Sequence, residues 1–217
     1  RLIYVHIGKC GGSSLGRAIS HSKVLRREFR AVAKFHIEKP PITKNAKYLI
    51  VVRNPIDRAV SAFNWRYRLV VDEEKQKDRF DNEWKILTKY GTLNSLSEAL
   101  YVEGHLDSEV AQDFNTIHHL RENISFYLGD LLQSISSEQI YGVLATETLN
   151  QDIMKILGVH SVARVHENSR SADLRRENLS DNAIENLKRF LASDYKNLQI
   201  LLEMNQSSTS GVETLCR

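Results

Sequence analysis

The run Leu2-Ile-Tyr-Val-His-Ile7 leads straight into Gly8-Lys-Cys-Gly-Gly-Ser-Ser14, and a helical pattern begins at Leu15. The first run is β-branched and aromatic, so it reads as a buried strand. A strand that ends on glycines, with a helix starting directly from them, commits the chain to an α/β arrangement. The same alternation recurs. Ala31-Val-Ala-Lys-Phe-His-Ile37 reads as a second strand, stopped by Pro40-Pro41. Tyr48 to Val52 reads as a third, followed by Arg53-Asn-Pro55 and a helix with Pro55 in its first turn. Ile140 to Ala145 is a further strand, and Leu149 to Leu157 a helix.

Between Arg66 and Arg121 the texture is helical and polar, with Val110, Phe114, Ile117 and Leu120 on one stripe. Ser180 is placed to cap a long final helix carrying Ile184, Leu187, Leu191, Leu198 and Leu201. The expected fold is a mainly parallel central sheet flanked by helices. It forms a single domain over residues 1–217, with a helical insert or side layer at about 66–121. With 41% hydrophobic and 26% charged residues, the composition is that of an ordinary globular chain. The longest apolar run is strand-sized, too short to span a bilayer. Two cysteines, Cys10 and Cys216, exclude a disulfide framework and a cysteine metal cluster. A net charge of +3 is too mild to imply nucleic acid.

The glycine-rich loop carries the first chemical signal. Glycines let backbone amides crowd around an anion, and a helix start adds N–H groups and the positive end of a dipole. Ser13 and Ser14 add hydroxyl donors and Lys9 a point charge. Such a loop suits a phosphate or a sulfate. A Walker A loop would need a glycine at Ile3 and a Ser or Thr at Cys10, so that class of kinase is disfavoured. A cysteine phosphatase would draw on Cys10 at a helix N-terminus. It needs its arginine where the chain has Gly16, and Arg17 misses by one place.

A second element follows in Val51-Val-Arg-Asn-Pro-Ile-Asp-Arg-Ala-Val-Ser-Ala-Phe63. A strand delivers Arg53 at its end, and the helix after it presents Ser61. An arginine fork beside a serine donor suits one terminal phosphate. Together the two elements resemble those of sulfotransferases that use 3′-phosphoadenosine 5′-phosphosulfate (PAPS). Val5 to Leu15 is similar to that superfamily's 5′-phosphosulfate loop, and Val52 to Arg58, with Ser61, to its 3′-phosphate element. The flavour is nearer the glycan-modifying, Golgi-type branch and its bacterial or viral relatives.

The resemblance implies a P-loop-like fold and sulfuryl transfer from PAPS to a hydroxyl of a carbohydrate. Adenosine 3′,5′-bisphosphate is the implied product, and no metal is required. It implies that Lys9 neutralises the leaving phosphate and that Cys10, Gly11, Gly12, Ser13 and Ser14 cradle the 5′-phosphate. Arg53 and Ser61 would hold the 3′-phosphate. Family members take their base, His or Glu, from the segment after the first helix. Here that segment holds His36 and Glu38, which alternate at a strand end and so could share a face. His36 is the expected base, because its ordinary pKa lies near neutrality, and Glu38 is the second candidate.

Other polar features read as structural. His6 is expected to pack, His118-His119 to sit on a helix, and His166 to Arg170 to form a solvated loop. The basic face from Lys23 to Lys34 is solvated or steers an anionic glycan. Asn123, Asn178 and Asn205 open glycosylation triplets that matter only in a secretory compartment. A membrane connection is expected only through a segment outside these residues. The compartment would be the cytoplasm for a microbial or viral protein and the Golgi lumen for a eukaryotic one. A nucleotide-binding module without turnover stands as the alternative to an enzyme.

Overall fold

A computed structural model describes residues 1–159, 179–205 and 215, without the side chain of Ser13. In chain order the elements begin with β1 (Leu2–His6), α1 (Gly12–His21), α2 (Lys23–Glu28), β2 (Val32–Phe35) and β3 (Lys47–Val52). They continue with α3 (Pro55–Tyr67), a π-helical turn at Arg68–Asp72, α4 (Glu83–Tyr90) and α5 (Leu93–Glu98). A short hairpin of β4 (Tyr101–Val102) and β5 (His105–Leu106) precedes α6 (Ser108–Thr116). After these come α7 (Ile124–Ser134), β6 (Ile140–Ala145), α8 (Leu149–Leu157), α9 (Asp181–Phe190) and α10 (Ala192–Met204).

These elements divide between two compact units. The first holds Arg1–Asn54 with the described residues 123–159, 194–205 and 215. Its sheet runs β2-β1-β3-β6, with every neighbouring pair parallel. Strand composition follows from burial on both faces. All of β1 is buried, and so is β3 beyond Lys47, which is why they read as unbroken apolar runs. Each buried Leu, Ile or Val there contributes about 1.5–3 kcal/mol relative to exposure. The edge strand β2 alternates exposed and half-buried residues instead.

From β1 the chain passes to β2 on one side, then back across to β3 on the other. The segments after these strands therefore open on the same carboxyl edge, around the point where the order reverses. That crevice is where open α/β sheets bind ligands.

The second unit holds Pro55–Glu122 with the described residues 179–193. The helical stretch expected at 66–121 lies inside it. Here the stripe residues Val110, Phe114, Ile117 and Leu120 are all buried. The expected final helix is two helices, because the chain leaves helical geometry at Leu191. Ser180 does cap the first of them, accepting from the Ala183 amide at 3.1 Å. The loop from His166 to Arg170, Asn178 and Cys216 lie outside the described residues. No helix among the described residues is long and apolar enough to cross a membrane.

Candidate functional site

The loop after β1 is shaped by two left-handed residues. Lys9 has φ 69° and Gly11 φ 72°, a region that glycine enters freely and lysine does not. Gly11 is the N-cap of α1 and offers no side chain to its first-turn amides. Those amides and the dipole end of α1 thus face a site suited to an anion. A Cβ at Gly11 would stand 2.9 Å from Leu149, on top of the backbone strain. Gly12 is fixed by a different neighbour, since its Cβ would meet the His6 imidazole at 1.8 Å. Both glycines are therefore required by the packing of the loop.

The helix starts at Gly12 rather than at Leu15, which puts Ser13 and Ser14 in its first turn. Ser14 and Lys9 are half-buried. Cys10 differs from its neighbours in direction. Its side chain is fully buried in the sheet unit's core, 3.8 Å from the Gly8 carbonyl. A thiol so placed cannot attack a substrate, which removes the cysteine phosphatase. What Cys10 offers the loop is its backbone.

Arg53 follows β3 at the same edge, and its Nη1 donates to the Lys9 carbonyl at 3.4 Å. The guanidinium and the anion loop are thereby neighbours, although 44 residues separate them in sequence. The turn after β6 supports this corner, with the Thr146 hydroxyl donating to Val52 O at 3.0 Å. Asp152 holds that turn from behind, accepting from the Ala145 amide at 2.9 Å and the Thr148 hydroxyl at 2.8 Å. Ser61 lies half-buried on α3, in the second unit.

His36 stands just past β2, half-buried at the same carboxyl edge. Its Nδ1 lies 3.0 Å from the His6 carbonyl. A carbonyl only accepts, so Nδ1 carries the proton and Nε2 is left as the basic nitrogen. Extended alternation does not continue to Glu38, because Ile37 takes φ 60°. That value is an outlier for a β-branched residue; the Ile37 amide donates to the Tyr127 hydroxyl at 3.2 Å. Glu38 is exposed, so the shared-face argument for the pair fails and His36 alone keeps a defined orientation.

His6 packs as expected, and its partners are two rings whose meeting the sequence does not announce. Tyr4, His6 and His36 form a ladder of rings, with centroids 5.5 Å and then 4.2 Å apart. Residues 4 and 6 share a face of β1 by simple alternation, and that was the available signal. Burial, then electrostatic repulsion from His36 and Lys34, pushes the His6 pKa down to about 3. Burial, followed by Cys10, raises that of Tyr4. Its hydroxyl thus stays protonated and donates to the Gly12 carbonyl at 3.1 Å.

In the second unit His118, His119 and Glu122 bring donor atoms within 4.8 Å of one another, a grouping that could hold a metal. The Glu122 carboxylate is already engaged. It accepts from the His119 amide and from Arg121 Nε, each at 2.7 Å, and lies 3.1 Å from His118 Nδ1. Burial works against its charge, but the bonds from His118, the His119 amide and Arg121 outweigh it and hold the carboxyl below its usual range.

A family model described as "Sulfotransferase domain" matches residues 18–213. The matched span includes His36, Arg53 and Ser61 and begins after the glycine-rich loop. Comparison with curated proteins and with solved structures finds no significant match.

Proposed function

The chain belongs to the sulfotransferase family, and from that premise we propose that it moves a sulfuryl group from PAPS to a carbohydrate hydroxyl. The observation that carries the reading is the meeting of Arg53 with the Lys9 carbonyl at the carboxyl edge of the sheet. One terminal phosphate group and one phosphosulfate need two such cationic elements side by side. The donor set fits the nucleotide. Gly11 and Gly12 are packed against Leu149 and His6, and no side chain caps the start of α1, where backbone amides and the dipole suit an anion. Lys9 and Arg53 supply charge, and the sequence motif, not a contact, names Ser61 as the further candidate for the 3′-phosphate.

When bound, PAPS supplies a sulfuryl group on a phosphate leaving oxygen. Transfer is an in-line displacement in which an acceptor O–S bond forms as the bridging S–O bond breaks, much as in phosphoryl transfer. Lys9 neutralises charge on the departing oxygen, an electrostatic role that is strongest in a site closed to water. His36 takes the acceptor's hydroxyl proton on Nε2, since Nδ1 donates to His6 O.

A thermal-shift titration without metal tests the donor half of this reading. Adenosine 3′,5′-bisphosphate must raise the melting temperature and ADP and ATP must not, because only a ligand of the native state stabilises it. Arg53→Ala removes the shift. In a transfer assay Lys9→Ala lowers the rate by about 10²–10³, the range for losing one preorganised electrostatic group. Equal shifts with ADP sink the 3′-phosphate assignment. Binding without transfer to any glycan hydroxyl leaves a nucleotide-binding module.

A further inference from the structure

We propose that His6 is a positioning residue, a wedge whose ring sets the anion loop against the base strand and whose carbonyl selects the His36 tautomer. The inference rests on the reading of His36 as the base. Its observations are independent of that reading. The His6 ring occupies the volume that a Cβ of Gly12 would need, with Nε2 and Cδ2 at 1.8 and 1.9 Å from the ideal position. On its other side the ring stacks on His36 at 4.2 Å, with planes 20° apart. The same residue's carbonyl receives His36 Nδ1 at 3.0 Å. One side chain thus touches both halves of the site, while Tyr4 backs it at 5.5 Å and bonds to Gly12 O.

The chemistry explains why a histidine suits this place. A buried ring that stays neutral can stack on His36 while His36 takes up a proton, without a second positive charge beside it. The wedge also accounts for Gly12. Only Gly11 of the pair has a positive φ, so Gly12 is demanded by the ring beneath it and not by its backbone. Removal of the ring therefore relieves the demand for glycine. That is a pairwise prediction, which a double-mutant cycle reads directly.

The cycle uses Gly12→Ala, His6→Ala and their combination, with adenosine 3′,5′-bisphosphate as the probe. In the unmodified protein, forcing a methyl into the ring overpacks the loop and weakens binding about tenfold or more. In the His6→Ala background the same Gly12→Ala change costs less than about threefold, because the methyl fills the vacated space. Circular dichroism on each variant verifies folding. A Gly12→Ala penalty equal in both backgrounds overturns the wedge.

The tautomer is read separately by long-range ¹H–¹⁵N spectra of histidine-labelled protein. His36 shows the Nδ1–H form when neutral in the parent and a mixture in His6→Ala, whose smaller side chain leaves the His36 ring unsupported. His6→Phe keeps the stack and restores the single form. An Nε2–H form in the parent overturns the positioning role. Neither readout needs an acceptor. Should the wedge hold while His36→Ala retains full transfer, the base assignment fails and the positioning geometry stands.

Discussion

In the sheet unit the fully buried side chains are mostly apolar and include Leu2, Ile3, Val5, Leu49, Ile50, Val51, Val143 and Leu144; in the helical unit the buried side chains include Arg58, Arg66 and Glu83. The units also treat buried charge differently. Asp152 and Asp194 in the sheet unit are met chiefly by backbone amides, Asp194 accepting from Ile124 and Ser125 at the start of α7. In the helical unit Arg66 pairs with Glu83 through two bonds, at 2.9 and 2.6 Å, and donates to Gln76. Glu83 also accepts from the His118 amide at 2.8 Å, while Arg58 donates to the carbonyls of His119 and Glu122. A parallel sheet satisfies its own backbone and needs only apolar filling. Short helices joined by long turns leave carbonyls and amides over, and buried ionic side chains meet them.

Glu83→Gln is the hardest test of that contrast. It leaves a guanidinium buried with a neutral partner, and the loss in urea unfolding should reach about 3–5 kcal/mol. Adding Arg66→Met to the same chain should recover most of it, because it removes the buried guanidinium left without its ionic partner. Asp152→Ala in the sheet unit should cost less, about 1.5–3 kcal/mol for lost bonds to a charged acceptor. No single second substitution should rescue it, since its partners are in part the backbone. A larger loss at Asp152 than at Glu83 would reverse the comparison.

The same contrast decides what could be read from the chain. The strands β1, β3 and β6 announce themselves as apolar runs, and their alternation with helices specifies the sheet. The turn between β1 and α1 was legible because its glycines sit between a strand and a helix. The place of Arg53 was legible because it directly follows a buried strand. Arg58 and Arg66 were not, for an arginine in a helix is ordinarily solvated and their partners lie at 83, 119 and 122. Helix α7 went unread although Ile124, Tyr127, Leu128, Leu131 and Leu132 recur at helical spacing. A glycosylation triplet overlaps its start, and Asn123 caps the helix by accepting from the Phe126 amide at 2.8 Å. The split at Leu191 carries neither glycine nor proline to mark it. For His36 and Glu38, the strand signal was sound and ended two residues early, at Phe35.

Acid should separate the two units by where each begins to weaken. His6 has a folded pKa lowered from 6.5 to about 3. The unfolded chain binds that proton first, so stability falls as pH drops through 6.5 and levels only near 3. Glu122 is also lowered, from an ordinary 4.5. Again the unfolded chain protonates first, so this loss begins only below about 4.5. Urea midpoints followed from pH 7 to pH 3 should therefore decline in two stages. His6→Phe should flatten the first and Glu122→Gln the second. A single decline starting at 4.5 in the unmodified protein would show that His6 does not report on the sheet unit.

The smallest effect sharpens the claim about burial. Lys39 and Asp130 approach to 2.6 Å, the same distance as Arg66 Nη2 to Glu83. Their side chains are 56% and 66% exposed, against 2% and 0% for the buried pair. Distance alone would rate the two alike. Water screens the exposed pair and competes for both partners, and holding two long side chains together costs rotamer freedom, so Asp130→Asn should change stability by about 0–1 kcal/mol. Raising the salt concentration should shrink even that, while leaving the Glu83→Gln loss nearly intact. A loss at Asp130 comparable to that at Glu83 would mean that closeness, and not exclusion of water, makes the helical unit depend on its charges.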